Sequence, residues 1–197
     1  MQEFIIPDDG LVVKTAEGRP IFEVSIRDEG NVLRMFGADY EQKIALATFG
    51  ESGLLIVGNP EGAGVAISVN EDVSEIGIMN KGKNITLAIS SEHTELRFMN
   101  ADKVITNKLY VDENGGQFGL ANQEGDVLMS AGAEPRGGVC HLMNTEGHTV
   151  ALLESREGNG NIILSDIDGD IRVMIGGEGG ANILLVDKTG HVAWSTL

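Results

Sequence analysis

A repeat of 20 to 22 residues runs through nearly the whole chain and constrains the fold more than any other feature of the sequence. Each copy contains a short polar turn, and the last residue of that turn marks the copy. Successive markers are 22, 22, 21, 20, 22, 22, 22 and 21 residues apart, which gives nine copies within residues 1–197. The markers are Gly18, Tyr40, Gly62, Lys83, Lys103, Gly125, Gly147, Gly169 and Gly190. We therefore expect a single domain made of repeated units.

The residues three positions before the markers specify the chemistry of the turns. They are Thr15, Gly37, Asn59, Asn80, Asn100, Asn122, Asn144, Asp166 and Asp187. Asn or Asp at the first position of a type I turn accepts a hydrogen bond from the backbone ahead, and Gly at the fourth position tolerates a positive φ. The pattern predicts a tight turn in each copy.

The residues five and seven positions before the markers are all apolar, and a spacing of two places them on one face of a β-strand. They are Val13, Met35, Val57, Ile78, Phe98, Leu120, Leu142, Leu164 and Leu185, and Leu11, Leu33, Leu55, Ile76, Leu96, Phe118, Cys140, Ile162 and Ile183. The opposite face is mixed, as in Arg34, Gly119 and His141, and we expect it to be at least partly solvated. The pattern of each copy thus predicts a strand, a tight turn, a second strand and then a looser acidic, Gly-rich connection, such as VDENGG, GAEPRGG or SREGNGN.

The composition favours the same fold class, because 27 glycines with one Trp, two Tyr and six Phe are typical of short strands joined by turns. We predict an elongated all-β fold of about nine two-strand units. Such units cannot bury an apolar stripe alone and must stack on neighbours. A β-solenoid and a β-meander both fit, and the sequence leaves the choice open. A meander would need its apolar face covered, for which we favour a homotrimeric β-prism.

The charge limits the partners that the chain can have. Fourteen basic and thirty acidic residues give a net charge of −16, which repels nucleic acids and anionic membranes. We expect other copies as partners, and a protein at the chain ends; Trp194 occupies a core position of the repeat and would close the C-terminal end. The chain shows neither a signal peptide nor a long apolar run, and its lone Cys140 fits a reducing compartment. The predicted location is the cytoplasm or a particle assembled there.

The stretch DIDGDI, Asp166 to Ile171, is the most site-like part of the chain, but its acids fall on ordinary turn positions of the repeat. A helix-loop-helix calcium site needs the order D-x-D-x-D-G and a later Glu. The stretch Gly176 to Leu184 has some likeness to a calcium-binding nonapeptide, with Ala181 in place of the aspartate. The four histidines, which lack metal-site spacing, are expected on the surface or in turns: His93, His141, His148 and His191.

The sequence also lacks the common motifs of hydrolases and nucleotide-binding proteins, so we predict no catalytic, cofactor-binding or metal-binding residue. A pair of carboxylates from different subunits could cleave a glycan, but thirty acids single out no pair. Binding of a glycan would rely on Tyr40, Tyr110 and Trp194 as stacking platforms.

The repeat, apolar-x-apolar-x-[Asn/Asp]-x-x-Gly followed by alternating apolar residues, resembles the shafts of trimeric β-prism and β-helix fibres such as phage tail spikes and needles. It is also similar to bacterial chains with tandem strand–DxxG–strand units. The resemblance covers most of the chain and implies stacking of units. It favours a non-catalytic scaffold, fibre shaft or filament subunit. The alternatives are a protein- or glycan-binding module and a fibre-type glycan depolymerase.

Overall fold

The computed structural model describes residues 6–39, 41–59, 62–176 and 182–196, and within them it contains eighteen β-strands and no helix. The predicted all-β class is confirmed. The strands fall into two compact units. The first unit holds β1 (Leu11–Lys14), β2 (Pro20–Arg27), β3 (Gly30–Phe36), β4 (Gln42–Phe49), β5 (Ser52–Gly58), β6 (Ala63–Val69), β7 (Val73–Asn80) and β8 (Lys83–Ser90). The second holds β9 (Thr94–Met99), β10 (Ile105–Asp112), β11 (Gly115–Ala121), β12 (Val127–Glu134), β13 (Gly137–Met143), β14 (Thr149–Arg156), β15 (Asn159–Ser165), β16 (Ile171–Gly176), β17 (Asn182–Val186) and β18 (Val192–Ser195).

Each unit is an antiparallel meander. In the first, pairing proceeds from β1 with β2 to β7 with β8. In the second, it proceeds from β9 with β10 to β17 with β18. Of the two geometries left open by the sequence, the strands within each unit follow the meander. The marker Tyr40 and the centre of the nonapeptide-like stretch, residues 177–181, lie outside the described residues.

The polar turns predicted from Asn, Asp and Gly are five-residue turns with the expected hydrogen bonds. In the turn that begins at Asn122, its N–H donates to the Asp126 carbonyl at 3.0 Å and the Gly125 N–H donates to the Asn122 carbonyl at 3.3 Å. Asn122 Oδ1 also accepts the N–H groups of Glu124 and Asp126 at 3.0 and 2.9 Å. Gly125 has φ 99°, as a glycine at this position allows. The same pair of backbone bonds closes the turns that begin at Thr15, Asn59, Asn144, Asp166 and Asp187.

The fourth copy departs from the predicted turn. Asn80 pairs with Lys83 across a two-residue turn, so both residues belong to strands. Lys81 and Gly82 form the turn with φ 48° and 81°, and positive φ at both central residues is typical of a type I′ hairpin. Because Lys-Gly already supplies a complete turn, the strand extends through Asn80 and the marker Lys83 falls outside the turn.

The connections predicted to be loose are also two-residue turns, which corrects the sequence-based expectation. Strand pairing continues to Asp112 with Gly115, Glu134 with Gly137 and Arg156 with Asn159. Most glycines that resemble loop residues in the sequence therefore belong to the strands, whereas Gly158 lies in a turn. Gly137 has φ 151°, and a Cβ atom there would lie 1.5 Å from the Ser155 carbonyl oxygen. Only a residue without a side chain permits this approach of β13 to β14.

Candidate functional site

Each unit has one apolar face, and the register shows that the predicted apolar positions lie side by side across it. In the second unit, for example, Leu109 pairs with Phe118 and Leu153 pairs with Ile162. Ten large apolar side chains of this face are 37–48% exposed. They are Leu109, Val111, Phe118, Leu142, Leu153, Ile162, Leu164, Ile175, Leu185 and Trp194. The apolar face of the second unit is therefore open to contact.

The first unit has the same arrangement. Leu46 pairs with Leu33 and Leu55, and Ile76 pairs with Ile67 and Leu87. Eleven large apolar side chains of this face are 36–52% exposed: Val13, Ile26, Met35, Leu46, Val57, Val65, Val69, Ile76, Ile78, Ile85 and Ile89. Full burial of an aliphatic side chain corresponds to on the order of 100 Å² of apolar area, so each of the two faces leaves on the order of 400 Å² uncovered. Exposed apolar patches of this size are often functional in monomeric proteins.

The opposite face, here called the mixed face, includes the most buried side chains of the first unit. Val32, Ala45 and Ala47 are 5–8% exposed. Their cross-strand partners place Val32 beside Ala47, and Arg34 beside Ala45. The expectation that this face is at least partly solvated holds for Arg34, whose guanidinium pairs with Glu23 at 2.9 Å and remains about a quarter exposed. It does not hold for the small apolar residues next to it, because their short side chains are covered by larger neighbours.

Charged side chains avoid the apolar face of the second unit. Strands β9 to β18 contain eight Asp, Glu, Lys and Arg residues, and strand alternation places all eight on the mixed face. They are Glu95, Arg97, Lys108, Asp112, Glu134, Glu154, Arg156 and Arg172. The apolar face of this unit can therefore pack against another surface without desolvating a charge of its own strands.

An apolar groove of about 770 Å³ lies on the apolar face of the second unit. Along one row of paired residues, Ala131 and Cys140 occupy two successive strands between larger neighbours. Phe118 on one side and Leu153 on the other form the walls. The free thiol of Cys140 is half-buried in this groove. Two small side chains in a row of large ones thus create the depression.

A cluster of charged and aromatic residues lies on the mixed face at β9 and β10. The Glu95 carboxylate is 3.0 Å from Arg97 Nε and 2.9 Å from Lys108 Nζ, and its side chain is 11% exposed. Burial by itself raises the pKa of Glu95, but the Lys108 hydrogen bond and the Arg97 charge outweigh it and leave that pKa lowered. Lys108 Nζ also lies 4.8 Å from the centre of the Tyr110 ring, which is 5.0 Å from the His93 ring. The cluster is a charge-compensated structural network.

A polar trench of about 600 Å³ crosses the same face. Gly119, Ser130 and Gly132 leave space between Tyr110 on β10 and His141 on β13. The three residues named as stacking platforms for glycans are not brought together, since Tyr110 lines this trench, Trp194 lies on the apolar face and Tyr40 is outside the described residues. The trench has the volume of a small-ligand site, but its polar groups do not define a reaction.

The DIDGDI stretch forms one of the five-residue turns, and its first carboxylate is already engaged. Asp166 Oδ1 accepts the N–H groups of Asp168 and Asp170 at 3.1 and 3.0 Å, and Oδ2 accepts Arg172 Nε at 2.9 Å. Burial raises the pKa of Asp166, but the hydrogen bond from Arg172 and the backbone outweighs it and leaves that pKa lowered. Arg172 Nη1 also donates to the Asp187 carbonyl at 2.7 Å. The stretch therefore joins two neighbouring turns.

The four histidines lie in different elements. His148 Nδ1 is 3.0 Å from the Ile167 carbonyl oxygen, and His191 Nδ1 is 2.7 Å from Thr189 Oγ1, both in five-residue turns. His141 lines the polar trench on β13, and His93 contacts Tyr110 just before β9. Among the described residues, no group of three or more His, Cys, Asp and Glu is placed to hold a metal ion.

One pair of carboxyl groups was not identified from the sequence. Glu51 and Glu71 lie at the tips of two turns of the first unit, and the hydrogen bond between their carboxyl groups raises the pKa of Glu51. Both side chains are exposed. The contact depends on strand register across residues 20 positions apart, for which the sequence offers no local signal.

Comparisons with known proteins give no relative to guide the assignment. No protein-family model matches the chain, and no curated protein is significantly similar to it in sequence. The described part of the chain has no helix with the length and hydropathy needed to span a membrane. The apolar faces are consequently the main candidates for a functional surface.

Proposed function

We propose that this protein is a non-catalytic structural protein, an elongated acidic β-repeat scaffold, fibre shaft or filament subunit. The observation that carries the proposal is the exposed apolar face of each meander. An open apolar area of this size is a typical mark of an interaction surface. We expect it to be covered in the working assembly, since exposing it to water is unfavourable by about 25 cal/mol for each Å².

The assembly that we favour is a homotrimer in which the apolar faces point inwards. Packing around a three-fold axis closes three sheets into a prism and covers the same face in every copy. The mixed faces and acidic turns then remain in water, where their charges keep the particle soluble.

The mass of the purified protein in solution tests this proposal. Light scattering is expected to give three times the chain mass of 20.9 kDa, and small-angle scattering or negative-stain imaging an elongated particle. Leu153→Asp, on the apolar face, should reduce the mass to that of one chain, because a carboxylate would be buried in the interface. Gln117→Asp places the same charge on an exposed mixed-face position of β11 and should leave the mass unchanged. A compact wild-type monomer would contradict the proposal.

A binding module for a protein or a glycan is the second candidate, and the polar trench favours it. The depolymerase hypothesis needs a pair of carboxylates from different subunits, and the polar trench supplies one candidate acid of this chain, Glu134. General acid and base catalysis of glycoside cleavage needs two carboxyl groups. Cleavage of any glycan that Glu134→Gln abolishes would favour this third hypothesis over both others.

A further inference from the structure

Strands β1 and β18 are the most exposed strands of the two units. Three of the four side chains in each are exposed, whereas every side chain of β9 is buried or half-buried. Val12 is 49% exposed, although Ile56 and Ile163 occupy the same repeat position on inner strands and are half-buried. Within the described residues of its unit, β1 pairs with β2 alone and β18 pairs with β17 alone. Each of these two strands therefore presents an open edge of unpaired backbone groups.

The hydrogen bonds show which backbone groups lie on the open edges. Directly after β18, the Thr196 N–H donates to the Ile183 carbonyl of β17 at 3.1 Å. Because the backbone groups of successive residues in a strand point to alternate edges, the N–H and C=O of Ser195 point outwards. In the first unit, the Thr15 N–H donates across its turn at 2.8 Å, so the same alternation directs the N–H and C=O of Val12 to the open edge of β1.

The two open edges are of complementary kinds. Inside the meanders, the second edge of an even-numbered strand binds the first edge of an odd-numbered strand, as β16 binds β17. The residue four positions after one marker then pairs with the residue five positions before the next, and β6 with β7 alone is offset by one residue among these pairs. The pairs are Phe22–Met35, Ile44–Val57, Asn107–Leu120, Met129–Leu142, Ala151–Leu164 and Val173–Leu185. The open edge of β18 is such a second edge, and that of β1 is such a first edge.

We propose that β18 of one chain pairs with β1 of a second chain, in the register that joins strands inside each meander. This inference rests on the proposed structural function and names the contact that joins subunits end to end. The register places Trp194 beside Val13 of the second chain, and Ser195 beside its Val12. The contact joins two different strands, so it is heterologous and extends into a filament.

The side chains at the contact suit this pairing. The two strands, LVVK and VAWS, carry one charged residue, Lys14, so the paired strands bring no like charges together. Val12, Val13, Val192 and Trp194 are 43–60% exposed and would each gain a neighbouring strand. Since the strands are short, we expect the contact to form at higher protein concentration than the trimer. Three such contacts act together when two trimers meet.

Disulfide cross-linking tests the register directly. In a Cys140→Ser background, Val13→Cys and Trp194→Cys would form a non-hydrogen-bonded pair with Cα atoms about 4.5 Å apart, within the range of a disulfide. Oxidation should then give a ladder of multiples of the 20.9 kDa chain on a non-reducing gel. Val12→Cys with Trp194→Cys is the control, because a shift of one residue places the two thiols on opposite faces and should give no ladder. No ladder from the first pair, an equal ladder from both pairs, or a disulfide within one chain would overturn the proposal.

A proline on the open edge of β1 provides the second test. Val12→Pro removes an N–H group that points outwards and leaves the bonds between β1 and β2 in place. It should weaken end-to-end association by about tenfold or more, measured by sedimentation and by filament length in negative stain. Val12→Thr keeps the N–H group and should leave the association unchanged, and circular dichroism establishes that both variants fold. Equal association of a folded Val12→Pro would overturn the proposal. Trimers that form no longer species at any concentration would overturn the end-to-end contact and leave the homotrimer standing.

Discussion

The two rows of turns in the meanders depend on different features of the sequence. In the five-residue turns, a side chain holds the backbone: Asn144 Oδ1 accepts the N–H groups of Glu146 and His148 at 3.0 and 2.9 Å. In several two-residue turns, the residue that follows the turn lies so close to the next strand of the sheet that a side chain has no space, as at Gly137 against the Ser155 carbonyl of β14. The first row depends on hydrogen-bonding groups and the second on the absence of a side chain. Substitutions in the two rows should therefore destabilise the fold for different reasons.

The largest effect is expected from Gly137→Ala in the two-residue row. The new Cβ would lie 1.5 Å from the Ser155 carbonyl oxygen at a φ of 151°, so the strands must separate. We expect a loss of about 3 kcal/mol in the free energy of unfolding, measured by urea denaturation. Gly119→Ala is the control, since no atom lies within 4 Å of its Cβ position, and it should change stability by less than about 0.5 kcal/mol. Equal stabilities for the two variants would refute the steric explanation.

The next effect concerns the side chain that holds a five-residue turn. Asn144→Ala removes both bonds within its turn and also the bond from Nδ2 to the Ile167 carbonyl of the neighbouring turn, at 2.8 Å. We expect a loss of about 2 kcal/mol. Asn122→Ala should cost about 1 kcal/mol although its side chain makes four bonds, because all four lie within its own exposed turn, where water can replace them. A cost at position 144 no larger than at 122 would show that the bond between turns contributes nothing to thermal or urea stability.

A smaller change of opposite sign is expected at Lys103. It is the marker residue of a five-residue turn and has φ 65°, where a side chain is unfavourable. Lys103→Gly should raise the free energy of unfolding by roughly 0.5–1 kcal/mol, seen as a higher Tm. Lys188→Gly, in another turn of this row and without a positive φ, should bring no gain. A destabilised Lys103→Gly would mean that the lysine side chain makes contacts that outweigh its backbone strain.

The smallest expected effect is a pH response of opposite sign in the two rows. The Thr189 hydroxyl and the backbone lower the pKa of Asp187. Its contribution to the free energy of unfolding is therefore present above the unfolded pKa of about 3.9 and is lost as pH falls through the folded pKa. Glu71 raises the pKa of Glu51, so that contribution is present below about 4.3 and is lost as pH rises through the folded pKa.

Urea midpoints measured between about pH 2 and pH 6 would reveal both terms. Asp187→Asn should reduce the loss of stability in acid, and Glu51→Gln should reduce the loss on raising the pH. Parallel pH curves for wild type and both variants would show that neither carboxyl group is linked to folding.

The local features of the fold follow from the sequence, and the features that depend on register do not. Asn122 and Gly125 predict their turn correctly, because the Asn side chain and the positive φ of the Gly favour the same four-residue turn. The prediction of a turn that begins at Asn80 is wrong, because Lys81 and Gly82 form a two-residue turn beside it. The sequence does not show which of these two turns is preferred. The apolar groove could not be predicted either, because it exists only where Ala131 and Cys140 become neighbours through strand pairing.

The pairing of each strand with its neighbours along the chain has a consequence for how the protein folds and changes. Contacts between residues close in sequence give a low contact order, which favours rapid folding by successive addition of hairpins. Loss or duplication of one 22-residue copy would keep every remaining strand in its orientation. Each meander can therefore gain or lose whole hairpins while its turn chemistry stays constant.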